Sequence, residues 1–255
     1  MSSTAIRVHP SPDVLANATA ARLVTRLVDA QASRGTASVV LTGGRIGIQV
    51  LRAVRDNPAR DAVDWRKLDV WWGDERFVPA GDPERNEKQA REALLDHVPL
   101  DPARVHPMPP SDSGMAPEEA AAAYAEELAV AARQENHGPT PQFDVLMLGV
   151  GPEGHVASLF PEMPGVYEDR PVTAVRGCPK PPPTRVSLTF PTLNRARELW
   201  LIAAGEEKAP AVALALTGAG RTQVPAAGVA GSAATLWLLD RAAAAKLPAE
   251  LRLTW

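Results

Sequence analysis

The feature that most constrains this chain is a series of short apolar runs, each followed by a break and then by a stretch long enough for a helix. The runs are Ser38-Val39-Val40-Leu41, Leu68-Asp69-Val70-Trp71-Trp72, Val145-Leu146-Met147-Leu148, Glu198-Leu199-Trp200-Leu201-Ile202-Ala203 and Thr235-Leu236-Trp237-Leu238-Leu239. Their apolar residues stand at consecutive positions, so both faces of each strand need cover. That is the pattern of parallel strands joined by helical crossovers. The expected fold is α/β: a mainly parallel twisted sheet with helices on both faces, Rossmann-like and three-layered. With 255 residues, no internal repeat and no linker, residues 1–255 are expected to form a single domain.

The helices have their own signals. Ser11-Pro12-Asp13 reads as an N-cap followed by a first-turn proline, and Gly35 as the stop. A second helix is expected from the Gly43-Gly44 turn to about Val54. Asn86 with Gln89 resembles a capping box for a helix through Leu95. Pro117 to about Asn136 is alanine-rich, with Glu118 and Glu119 at its favourable end. Val156 to Phe160 reads as the first turns of a helix, Arg185 to Thr189 as a half-exposed strand, and Asp240 as the cap of a final helix.

Composition removes several classes of function. Formal net charge is −3, so no overall basic field favours nucleic acid or an anionic membrane. The lone Cys178 has no partner for an internal disulfide and no ligand spacing for zinc. No window approaches a membrane span, and Met1 to Arg7 holds no signal-peptide core. The expectation is a cytoplasmic protein with no metal, nucleic acid or membrane partner, a monomer or weak homo-oligomer.

Ligands of open parallel sheets bind beyond the carboxyl ends of the strands. Polar clusters fall at those ends: Gly43-Gly44-Arg45, Asp74-Glu75-Arg76, the turn Gly149-Val150-Gly151-Pro152-Glu153-Gly154 leading into His155, and Lys208. Arg185 begins a strand. The turn at 42–47 leads from strand to helix and suits a phosphate held on backbone N–H groups. Thr42 stands where the dinucleotide pattern requires its first glycine. Lys208 near a helix start opposes the helix dipole, which favours a ligand role. His9, His97, His106 and His137 read as structural, Trp71-Trp72 as core packing and Cys178 as incidental.

Taken in order, these motifs resemble the 6-phosphogluconolactonase family. The resemblance rests on Gly73-Asp74-Glu75-Arg76-Phe77-Val78-Pro79 with Asn86, and on Leu148 to Pro161 around His155. Arg185-Val186-Ser187-Leu188, Gly205-x-x-Lys208-Ala209 and Trp237-x-x-Asp240 extend it from about Ser11 to Lys246. It implies a hydrolase of 6-phospho-D-glucono-1,5-lactone that needs no cofactor. His155 would be the general base and Arg76 would orient substrate or stabilise charge, held by Glu75 or Asp74. Glu153 belongs to the same catalytic set. Gly43, Gly44, Arg185 and Lys208 match phosphate-binding positions, and Gly151 and Gly154 join Arg45 among the substrate-binding residues. Two departures stand out. Arg45-Ile46-Gly47 lacks the hydroxyl the family's glycine turn usually carries, and Glu153 replaces the more usual Asp.

Other readings of the same residues remain. A glucosamine-6-phosphate deaminase shares a related Gly-His motif, although the tail Ala157 to Pro161 looks like the lactonase version. A sugar-phosphate sensor would want a DNA-binding segment that the residues before Ser11 are too few to form. A nicotinamide dehydrogenase is disfavoured by Thr42.

Overall fold

The computed structural model describes residues 3–135 and 138–252, so His137 lies outside the described residues. Strands are numbered along the chain. A six-stranded sheet contains β1 (Ser3–His9), β2 (Ala37–Leu41), β3 (Leu68–Trp72), β5 (Val145–Gly149), β8 (Glu198–Ala203) and β9 (Ala234–Asp240), in the order β1-β9-β8-β5-β2-β3. All its pairings are parallel, as the apolar runs predict. The edge strand β1 was not expected from the sequence. It has only Ile6 buried, and its other side chains alternate too weakly to announce a strand.

Side-chain alternation divides these runs between two cores. Val40, Trp71, Leu146, Leu148, Leu201 and Trp237 face one side. There they meet Tyr124 and Leu128 of α4 (Pro117–Glu135). Val39, Leu41, Val70, Trp72, Met147, Trp200 and Ile202 face the other. That side is covered by α1 (Pro12–Arg34), α2 (Gly44–Arg55) and α3 (Asn86–Ala93). Period-two geometry over an unbroken apolar run thus gives a three-layer molecule. Trp200 has no exposed surface, and truncating such a side chain costs about 3–5 kcal/mol. The ends of α1 follow the sequence: the Ser11 hydroxyl accepts the Val14 N–H and Gly35 closes the helix with φ 82°.

A second sheet was not expected. It has three strands in the order β4-β7-β6, namely β4 (Asp74–Arg76), β7 (Arg185–Leu188) and β6 (Val172–Val175), all antiparallel. This corrects the half-exposed reading of Arg185 to Leu188, since every residue of β7 is buried. Val186 and Leu188 enter the core, while Ser187 accepts the Ser158 N–H.

Three local expectations also fail for physical reasons. Val156 to Phe160 forms a tight turn instead of a helix, with Val156 and Leu159 bridged and Ala157 left-handed at φ 48°. Its Ser158 hydroxyl donates to Asp74 at 2.6 Å, and Pro161 opposes a helical residue before it. Asn86 is inside α3 and does not cap it; its amide donates to the Asp74 carbonyl. The cap comes from a distant residue, because Glu75 accepts the N–H groups of Asn86 and Glu87 at 2.7 and 2.9 Å. Asp240 is followed by turns, and its carboxylate accepts the N–H groups of Ala243 and Gly205. It therefore ties the ends of β8 and β9 together.

Candidate functional site

The carboxyl ends of β2, β5 and β8 and the start of the small sheet enclose a cleft of about 530 Å³. Gly43, Gly44, Arg45, Asp74, Arg76, Gly151, His155, Arg185 and Lys208 all line it, so the expected clusters do converge. Topology explains this: parallel strands deliver their following turns to one edge, however far apart they lie in sequence.

His155 is set by the turn that follows β5. The Gly151 N–H donates to the His155 carbonyl and the Gly154 N–H to the Gly151 carbonyl, both at 2.9 Å, closing the turn on itself. A Cβ on residue 151 would lie 1.9 Å from His155 Nδ1, so only glycine lets the ring sit there. The ring packs on Phe160 at a centroid separation of 4.3 Å. Nδ1 lies 2.9 Å from Glu153 Oε1. A carboxylate only accepts, so this contact places the proton of a neutral imidazole on Nδ1 and leaves the lone pair on Nε2. Burial works to raise the Glu153 carboxyl. Hydrogen bonds from His155, its own backbone and Lys180 overcome that and bring it down to about 2.

The other end of the cleft is cationic. Lys208 lies just before the helix Ala209–Leu216 and is half-buried. Burial depresses its pKa, and the nearby charges of Lys180 and Arg45 depress it further, against the pull of Glu207 and Glu153. Cations that repel one another across a partly dry cleft are the expected lining of an anion site. Lys180 is a cleft residue that sequence reasoning missed, because its proline-rich loop reads as surface. Its signal was the rigid Lys180-Pro181-Pro182-Pro183 segment just before Arg185. Arg185 holds that loop by donating to the carbonyls of Pro182, Pro181 and Lys180 at 2.8, 3.1 and 3.3 Å.

Three expected site residues do not line the cleft. Glu75 alternates away from it into the start of α3, and burial pushes its carboxyl up to about 7 against Arg85 and three backbone N–H donors. The guanidinium of Arg76 donates to the Glu84 carbonyl at 2.6 Å, so neither Glu75 nor Asp74 is its anchor. From Arg76, Glu75 accepts the backbone N–H and not the guanidinium, and Asp74 accepts the Ser158 hydroxyl. Gly154 packs on Val224, and its carbonyl accepts the Ala226 N–H, behind the cleft wall. Glu153 stands behind His155. Among the described residues no group of three or more His, Cys, Asp or Glu is placed to hold a metal ion. No helix there is long and apolar enough to cross a membrane.

Residues 10–237 match the family described as glucosamine-6-phosphate isomerases/6-phosphogluconolactonase. A 6-phosphogluconolactonase of Streptomyces coelicolor is 64% identical over 247 residues, which is 96% of this chain and 95% of that one. Its Mycobacterium tuberculosis counterpart is 50% identical, covering 96% of this chain and 99% of that protein. The structure of 6-phosphogluconolactonase from Trypanosoma brucei superposes with a TM-score of 0.82 at 28% identity, over 97% of this chain and all (100%) of that one.

Proposed function

The chain belongs to the glucosamine-6-phosphate isomerase/6-phosphogluconolactonase family and hydrolyses 6-phospho-D-glucono-1,5-lactone to 6-phospho-D-gluconate in the pentose phosphate pathway, and from that premise we propose how its own residues carry the reaction. The observation that carries the proposal is the Glu153–His155 pair, held on a glycine turn at one end of a cleft whose other end is cationic.

In this reading the phosphate sits among Arg45, Lys208 and the N–H groups of the Gly43-Gly44 turn, where α2 begins. Arg45 supplies charge in place of the missing hydroxyl. The lactone carbonyl then points toward His155. His155 Nε2 removes a proton from water as the water oxygen attacks the carbonyl carbon. Negative charge gathers on the carbonyl oxygen, within the field of Arg76. As the bond from that carbon to the ring oxygen breaks, the ring oxygen takes the proton back from His155 and leaves as the sugar hydroxyl. Arg185 keeps the Lys180 loop in place, and Asp74 braces the His155 turn through Ser158. A lactone is already an activated ester, so no covalent intermediate or metal is needed. The single Cys178 suits a reducing cytoplasm.

The test is hydrolysis of freshly generated 6-phosphogluconolactone, coupled to 6-phosphogluconate dehydrogenase and corrected for spontaneous opening. His155→Ala is expected to lower kcat by at least about 10²-fold with the fold intact. Near-normal turnover in that variant removes His155 from the mechanism.

A further inference from the structure

Lys180 does more in this cleft than add a charge. Its Nζ lies 3.1 Å from Glu153 Oε2, while Oε1 of the same carboxylate lies 2.9 Å from His155 Nδ1. The carboxylate is therefore held at both oxygens, by a cation on one side and the imidazole on the other. The Glu153 side chain is 31% exposed and has free torsions of its own, so its contact with His155 alone would not fix its plane. Lys180 is in turn anchored through its backbone, since its carbonyl and those of Pro181 and Pro182 accept from the buried Arg185. A rigid loop thus reaches across to set a flexible acid.

We propose that Lys180 is a positioning residue that orients the imidazole of His155 by pinning the far oxygen of Glu153. The inference rests on His155 being the base. It adds a chain of contacts, Lys180 to Glu153 to His155, that joins the phosphate end of the cleft to its reacting end. Other charged groups face this chain from neighbouring elements: Lys208 and Glu207 after β8, Arg45 at the start of α2, and Asp74 and Arg185 in the small sheet. Among the described residues, the side chains hydrogen-bonded to Glu153 are those of Lys180 and His155.

The test compares Lys180→Met, which keeps length and loses charge, with Lys180→Arg, on 6-phosphogluconolactone across pH. Lys180→Met is expected to lower kcat about tenfold, within the ~10²-fold that a misplaced catalytic group costs. Its acid limb of kcat/KM moves to higher pH, because removing a nearby cation favours the imidazolium, which cannot act as base. Lys180→Arg keeps the limb at the wild-type position. Adding Lys180→Met to Glu153→Gln should cost less than about twofold more in kcat, since the two act through one contact. Lys180→Gln replaces any variant whose circular dichroism shows it unfolded.

A rise in KM with kcat and the acid limb unchanged makes Lys180 a phosphate contact only and overturns the inference. Additive losses in the double variant overturn it too. His155→Ala separates the two levels: retained turnover there sinks the base itself, whereas lost turnover there beside an unmoved Lys180→Met profile sinks only the positioning role.

Discussion

Two glycine turns lie side by side at the ends of the neighbouring strands β2 and β5, and they are built to different ends. The turn after β2 opens directly into α2, so its backbone N–H groups and the helix dipole point at the cleft. The turn after β5 opens into no helix. It folds back on itself, with the N–H groups of Gly151 and Gly154 donating to the carbonyls of His155 and Gly151, and presents a side chain, His155. In the proposed mechanism the first turn holds charge with backbone and the second aims an imidazole. Glycine serves close approach in both: a Cβ at Gly43 would lie 1.9 Å from Asn86 Oδ1, and one at Gly151 would lie 1.9 Å from His155 Nδ1. The Gly149 N–H donates to the Thr42 hydroxyl at 3.1 Å, which fastens one turn to the other.

The comparison breaks most sharply at these glycines. Gly151→Ala should lower kcat by about 10²-fold or more by displacing the imidazole, while Gly43→Ala should act mainly on KM. Steady-state kinetics of the pair decides this, and equal losses of kcat would erase the distinction between the turns. Next in size, Lys208→Ala is expected to raise KM about tenfold to a hundredfold with little change in kcat, because the phosphate keeps its charge throughout. An unchanged KM would move the phosphate away from the first turn.

A smaller effect separates the cleft from the wall behind it. The Glu75 carboxyl is raised to about 7 from an unfolded value of 4.5, mainly by burial, so the folded chain binds the extra proton between those limits. Its contribution to stability is therefore greatest below about pH 4.5 and declines as pH rises toward 7. Denaturant titrations of Glu75→Gln should lose that slope, and a wild-type slope would show that Glu75 stays ionised. Smallest is Thr42→Val, expected to cost about 1 kcal/mol of stability by cutting the bond between the turns, read from the shift in denaturation midpoint.

The parallel sheet was legible because its strands are apolar on both faces, a pattern that needs no partner to be recognised. His155, the 43–45 turn and Lys208 were legible for a related reason: strand ends of a parallel sheet share an edge. The small sheet was not. Asp74-Glu75-Arg76 is a strand whose charges look like those of a solvated turn, and its burial depends on donors far along the chain, Ser158, Asn86 and Glu87. Lys180 was hidden for the same reason, since its place in the cleft depends on Arg185 gripping a loop that alone reads as surface. The helix expected over 156–160 was lost to left-handed Ala157 and to the buried anchorage of Ser158.

The capping of α3 by Glu75 has a consequence for how the molecule comes apart. A helix usually frays from its first turn, because those amides answer only to solvent. Here the opening amides of α3 are clasped by an acid whose chain neighbours, Asp74 and Arg76, both line the cleft. The start of the helix and that rim of the cleft are therefore expected to open together, as hydrogen exchange at the Asn86 and Glu87 amides would show. Losing the start of α3 would then also displace Arg76 from the cleft.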